Sequence, residues 1–258
     1  MTKKIIRKCG FFVASSLIAI QAWAAPLDIQ SFSSKNKISP IVQKDICAQQ
    51  QSLCAHPERW KSVTTADQHL WLLADDQVAV FTTTDAQPKL LQHWKIDLTQ
   101  KLSADQIALN NSKLYVYPKL FPIADNRFAI ARIHSYSELY SGGGATMERA
   151  NFYELLNNGK TQQFIGNYPF SLKQTMRACF SEQDYKQAKG NCHDEYNLAV
   201  SIRPLKAMQW QFRYNYSASL SGKNPKTTKS SRALNIDLNR APKQPNIPKD
   251  WNYSGIDD

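Results

Sequence analysis

Between Met208 and Ala218, large apolar and polar side chains alternate without a break. Met208, Trp210, Phe212, Tyr214 and Tyr216 share one parity, and Gln209, Gln211, Arg213, Asn215 and Ser217 share the other. Successive side chains of a β-strand point to opposite faces, so this stretch fits a strand with one face in a core and one face in water. An α-helix would scatter the same residues around its axis. A strand this long needs partners on its backbone, and the chain must therefore supply a sheet.

Its neighbours supply it. Glu195 to Arg203 and Thr228 to Leu238 read as antiparallel partners. Further upstream, His69 to Ala74 and Gln77 to Thr83 flank an Asp75-Asp76 turn, and Leu90 to Ile96 follows as the next strand. Lys113 to Tyr117 is short and apolar-aromatic, and Pro118 and Pro122 are expected to break regular structure after it. Arg127 to Tyr136 starts apolar on both parities, as a central strand covered on two sides would. Arg149 to Leu156 and Thr161 to Ile165 flank Asn157-Asn158-Gly159, a hairpin turn rich in residues that accept positive φ.

Two segments read as helical. One is short and lies around Cys47 to Trp60. The other interrupts the strands over Ser171 to Asn191, where Leu172, Met176 and Phe180 have helical spacing. Ser181 can cap a second short helix there, and Gly190 can stop it. Ser103 and Gln106 have capping-box spacing. The expected fold is mainly β: a twisted antiparallel sheet or β-sandwich with a short helical, disulfide-stapled excursion. The alternative is a partial or small β-propeller, raised by the recurrence of Ala66-Asp67-Gln68, Ala104-Asp105-Gln106 and Ala124-Asp125-Asn126 at unequal spacings.

The first residues set the redox context. Lys3, Lys4, Arg7 and Lys8 precede a short apolar run, Phe11 to Ile20, and Ala22-Trp23-Ala24 offers small residues where a signal peptidase cuts. The expected organisation is a signal peptide over 1–24, cleaved after Ala24, then an extended lead-in over 25–44. A single β-rich domain follows over 45–239, then a Pro-containing extended tail over 240–258, on which Trp251 and Tyr253 are candidates for docking. Location is expected to be periplasmic or secreted, with no transmembrane anchor after cleavage.

Cys9 leaves with the signal, so Cys47, Cys54, Cys179 and Cys192 remain. An even count in an exported chain argues for two disulfides. Of the three pairings, the local one, Cys47–Cys54 with Cys179–Cys192, is expected. It carries a condition. Seven residues of continuous helix separate Cα atoms by about 10.5 Å, beyond the roughly 7 Å a bridge allows. The chain must therefore turn between Cys47 and Cys54.

Charge narrows the partners. The chain has 32 Lys and Arg against 21 Asp and Glu, and losing the four basic residues of 1–24 lowers the formal net charge from +11 to +7. That favours an anionic partner, an acidic protein among them. Nucleic acid is disfavoured by export, and by the even spacing of the Trp210–Tyr216 aromatics, which suits a core.

Three groups of residues could carry function. Ser141-Gly142-Gly143-Gly144 reads as a flexible connection between long strands and a contact loop; no G-x-S-x-G or phosphate-loop pattern surrounds it. Lys223, Lys226, Lys229 and Arg232 read as a basic hairpin loop. His193-Asp194-Glu195 and His134 are the histidines an enzyme would use, and His56 with Glu58 lacks a partner set. No catalytic set, metal-ligand set or cofactor motif can be assembled. The organisation resembles periplasmic inhibitor, immunity and ligand-binding proteins as a class, a resemblance that transfers no residues. The leading expectation is an exported binding protein that recognises another protein, as an inhibitor or immunity protein neutralising an envelope-acting toxin or hydrolase would. The alternatives are an envelope hydrolase and a cell-envelope structural or assembly factor with the tail as its docking arm.

Overall fold

In the computed structural model, which describes residues 28–83, 87–99, 112–222 and 224–251, thirteen strands form two antiparallel sheets. The smaller has four strands in chain order: β2 (Lys61–Thr64), β3 (His69–Ala74), β4 (Gln77–Thr82) and β5 (Lys89–Lys95). The larger has nine: β1 (Gln30–Ser31), β6 (Ser112–Val116), β7 (Lys119–Ala124), β8 (Arg127–Tyr140), β9 (Gly143–Leu155), β10 (Thr161–Arg177), β11 (His193–Lys206), β12 (Gln209–Leu220) and β13 (Lys226–Asp237). From β8 to β13 each strand pairs with the next, while β6 and β7 both lie along β8. The chain is thus mainly β, with curled antiparallel sheets and two short helices, α1 (Pro40–Gln49) and α2 (Glu182–Gln187). One nine-stranded sheet is not a set of repeated propeller blades.

Burial stacks these elements in layers. The inside of the large sheet holds an aromatic core in which Trp210, Phe212, Tyr214, Phe152, Phe121 and Tyr168 are fully buried. Trp71, Leu73, Val78, Val80 and Trp94 of the small sheet pack on Leu120, Ile130 and Leu155 of the large one. The opposite face of the small sheet, Leu70, Leu72, Ala79 and Phe81, packs on Ile46 of α1 with Leu53 and Trp60. β3 and β4 are therefore apolar on both parities because both of their faces are covered. β8 is covered on both sides as well: Ala129, Ala131 and Ile133 face the aromatic core, and Ile130 faces the small sheet.

Bulges and a seam curl the large sheet. The β9–β10 pairing shifts register between Gln163 and Ile165, between Ile165 and Tyr168, and between Pro169 and Ser171, and such irregularities bend a strand. Beyond the ladders, Met208 N donates to Ile123 O at 2.7 Å, and the buried indole of Trp210 donates to Pro122 O at 2.8 Å. These two bonds bring the β11–β12 turn against β7.

Both disulfides have the local pairing. Cys47 and Cys54 are 5.8 Å apart at Cα, and Cys179 and Cys192 are 5.1 Å apart. The required turn is at Gln50, whose φ of −144° ends α1 before a 3₁₀ turn over Gln51–Ala55. α1 itself starts at Pro40, capped by Ser39, inside the stretch expected to be extended; Pro is favoured in the first turn, where its missing N–H costs nothing. The tail docks through Trp251, which is buried and stacks on Tyr216 at 5.3 Å. Tyr168 also donates to Pro242 O at 2.8 Å.

Two further expectations are corrected. Pro122 lies inside β7 rather than ending it. It sits beside a register shift and accepts rather than donates, so its missing N–H breaks no bond. Ser171 to Arg177 is strand, not helix, and only Glu182–Gln187 is α-helical. Leu172 and Met176 are four apart, a spacing that keeps two side chains on one face of a strand as well as of a helix. The 1–24 segment, Ser103 with Gln106, Lys223 and Tyr253 lie outside the described residues.

Candidate functional site

Strand direction decides where the candidate loops lie. β8 ends at Tyr140 and β9 starts at Gly143; Gly143 pairs with Met176 near the end of β10. Met176 pairs in turn with Asp194 at the start of β11. The Asp194 carboxylate accepts from Ser221 N at 2.7 Å and from Ser221 Oγ at 2.9 Å, in the β12–β13 turn. The β8–β9 turn, the 178–192 excursion and the β12–β13 turn therefore form one continuous end of the sheet. Sequence reasoning proposed Tyr140 to Ala145 and Lys223 to Arg232 as contact loops; the first lies at this end, whereas Lys226 to Arg232 starts there and runs on along β13.

The glycine run is not a flexible loop. Only Ser141 and Gly142 make the turn, while Gly143 and Gly144 are strand residues of β9. Gly142 has φ +104°, and a side chain at Gly143 would run into the Thr175 carbonyl oxygen. The glycines thus allow two strands and a turn to approach closely. Ser141 is exposed at the tip, and the side chain against the neighbouring Gly142 is that of Arg177, a cation and not a base. The basic segment is also not a loop. Lys226, Lys229 and Arg232 are exposed residues of the edge strand β13.

Large apolar side chains protrude at this end. Leu139 is 83 % exposed and Phe180 77 %, and Tyr140, Met176 and Tyr185 are exposed as well; the register sends Leu139 to one face of the sheet and Tyr140 and Met176 to the other. Single exposed apolar residues are ordinary, but here several share one end of the sheet. The Arg177 guanidinium joins them: it lies 5.6 Å from the Phe180 ring and 5.9 Å from the Tyr185 ring, and donates to Tyr185 Oη and to Cys179 O. Tyr140 Oη donates to Thr175 O at 3.0 Å.

The excursion is held in one shape. Ser181 and Asp184 form a reciprocal capping box, and Asp184 Oδ2 also accepts from Phe180 N at 3.1 Å. These hydrogen bonds, from the Phe180 N–H first, hold the Asp184 carboxyl below its usual range. Gly190, at φ +87°, ends the segment. Phe180 is therefore exposed on a fixed backbone.

The two candidate histidines, His134 and His193, lie apart in the sheet, on β8 and at the start of β11. His193 is exposed, paired on the backbone with Arg177. His134 is buried, and its Nδ1 shares a hydrogen bond with Tyr136 Oη. Burial first, then the Arg132 and Arg149 charges, pull it down to about 4. It stays neutral at physiological pH, with cations rather than a carboxylate as its charged neighbours. Among the described residues no group of three or more His, Cys, Asp or Glu side chains is placed to hold a metal ion, and no helix is long and apolar enough to cross a membrane. The chain matches no protein-family model, and no curated protein matches it in sequence.

Leu139, Met176, Arg177, Phe180 and Tyr185 are the site residues that sequence reasoning missed. Phe180, a large apolar residue beside a cysteine in a polar segment, was the available signal. Its exposure depends on Ser171–Arg177 being a strand.

Proposed function

We propose that this chain is exported by its first 24 residues and works in the periplasm as a binding protein that recognises another protein. The observation that carries this reading is the sheet end itself: Phe180 and Tyr185 are exposed around the Arg177 guanidinium on a stapled, capped scaffold, and Leu139, Tyr140 and Met176 are exposed on the adjoining strand ends. Aromatic residues and arginine are enriched where protein interfaces concentrate their energy. A preordered backbone also lowers the entropy lost on docking. Two disulfides suit an oxidising compartment. The mechanism is steric: the rigid end seats on the partner, an envelope-acting toxin or hydrolase, and occludes its site. A docking arm at the tail is less well supported, because the chain as far as Trp251 is folded back onto its own sheet.

The test is capture from envelope extract by the mature protein under oxidising conditions, with Leu139→Asp/Phe180→Asp as the comparison. Both positions are exposed, so stability should stay within about 0.5 kcal/mol. One protein retained by the parent and lost by the variant supports the proposal. Recovery of the bait alone, or equal retention by the variant, overturns it.

A further inference from the structure

The longest open edge of the large sheet is β13. It pairs with β12 over twelve residues without a register shift, from Gln209 opposite Asp237 to Leu220 opposite Lys226. Among the described residues its other side has no strand, whereas the opposite margin of the sheet is made of the two-residue β1 and the five-residue β6. Lys226 through Ala233 are all exposed, so neither face of this half of the strand is covered. The stretch contains no proline or glycine and is rich in Thr and Ser. Nothing in it bends the strand away from a new neighbour.

Charge selects what could pair there. Lys226, Lys229 and Arg232 are evenly spaced three residues apart, with no acidic residue from Lys226 to Ile236. If a second copy paired antiparallel about Lys229, the two Lys229 side chains would meet, and Lys226 would face Arg232. Like charges directly opposite destabilise a ladder. Lysines on an edge guard against such pairing and against neutral strands. They do not guard against a strand with carboxylates three residues apart, which meets all three cations.

We infer that β13 is a β-augmentation site for an extended acidic segment of a protein partner, bound through main-chain hydrogen bonds along the edge and selected by Lys226, Lys229 and Arg232. This rests on the protein-binding reading above and adds the mode of docking. Its test does not use the Leu139–Phe180 surface, so either can fail without the other.

The probe is a synthetic peptide, acetyl-TEVTEVTEVT-amide, titrated into the mature protein by calorimetry and followed by amide hydrogen exchange. The expected result is saturable binding with new protection at alternate amides of Lys226–Ala233. Lys226→Glu/Lys229→Glu/Arg232→Glu should weaken it by about tenfold or more, as should replacing the peptide glutamates by lysine. N-methylating alternate peptide amides, which keeps the charge and removes the ladder, should abolish binding. No binding, binding indifferent to N-methylation, or equal binding of the lysine peptide overturns the inference. So does a concentration-dependent dimer that protects the same amides without peptide.

Discussion

Replacing Cys179 and Cys192 together by alanine asks whether the excursion is ordered by its own contacts or only by its cross-link. The bridge closes a loop with a sequence separation of 13, for which the chain-entropy relation gives about 3 kcal/mol of constraint on the unfolded chain. That whole amount appears as lost stability only if the folded variant keeps the excursion fixed. Then the unfolded chain alone gains freedom. The contacts available for this are Arg177 on Phe180, Tyr185 and Cys179 O, the Ser181–Asp184 capping box, and Ala178 N on Cys192 O at 2.9 Å. If the excursion loosens in the folded variant, both states gain freedom and the cost shrinks. Urea unfolding of the mature protein at neutral pH measures it. With a slope of about 2–3 kcal/mol/M, a cost near 3 kcal/mol moves the midpoint by on the order of 1 M. A cost below about 1 kcal/mol would refute the claim that noncovalent contacts hold Phe180 in place.

Two further outcomes follow from single side chains. His134 is depressed to about 4 in the fold, so the unfolded chain binds the extra proton first; this residue's share of stability falls as pH drops from about 6.5 to about 4, by about 3 kcal/mol, and is constant above. Parallel unfolding curves against pH for the parent and His134→Gln should diverge over that window, and coincident slopes would contradict the assignment. Trp210→Phe keeps a ring against Phe121 and Phe152 but strands the buried Pro122 carbonyl, at a cost of about 1–3 kcal/mol. A loss below about 0.5 kcal/mol in urea unfolding would mean the indole bond does not hold the seam.

Much of the fold was legible because the alternation in β12 is strict, because β3 and β4 are short apolar runs on either side of a turn, and because the turns at Asp75-Asp76 and Asn157-Asn158-Gly159 carry the residues such turns need. The local disulfides were legible from spacing together with the need for a break before Cys54. The error over Ser171–Arg177 arose where the two periodicities coincide: Leu172 and Met176 satisfy both, and only pairing to Met147 and Gly143 across the sheet chooses between them. The site was half legible. Glycines at 142–144 and cations at 226–232 could be singled out, but that the first lie at one end of the sheet and the second along one edge depends on strand direction and register, which are properties of the whole sheet.

β8 has a consequence for how the molecule comes apart. One strand contributes Ile130 to the layer shared with the small sheet and Ala129, Ala131 and Ile133 to the aromatic core. Removing it exposes both at once, so loss of this strand couples the two layers. The two sheets are therefore expected to unfold as one cooperative unit. Calorimetry should record a single transition, and damage to α1 or the small sheet should lower the melting temperature seen by the distant β12 aromatics by the same amount.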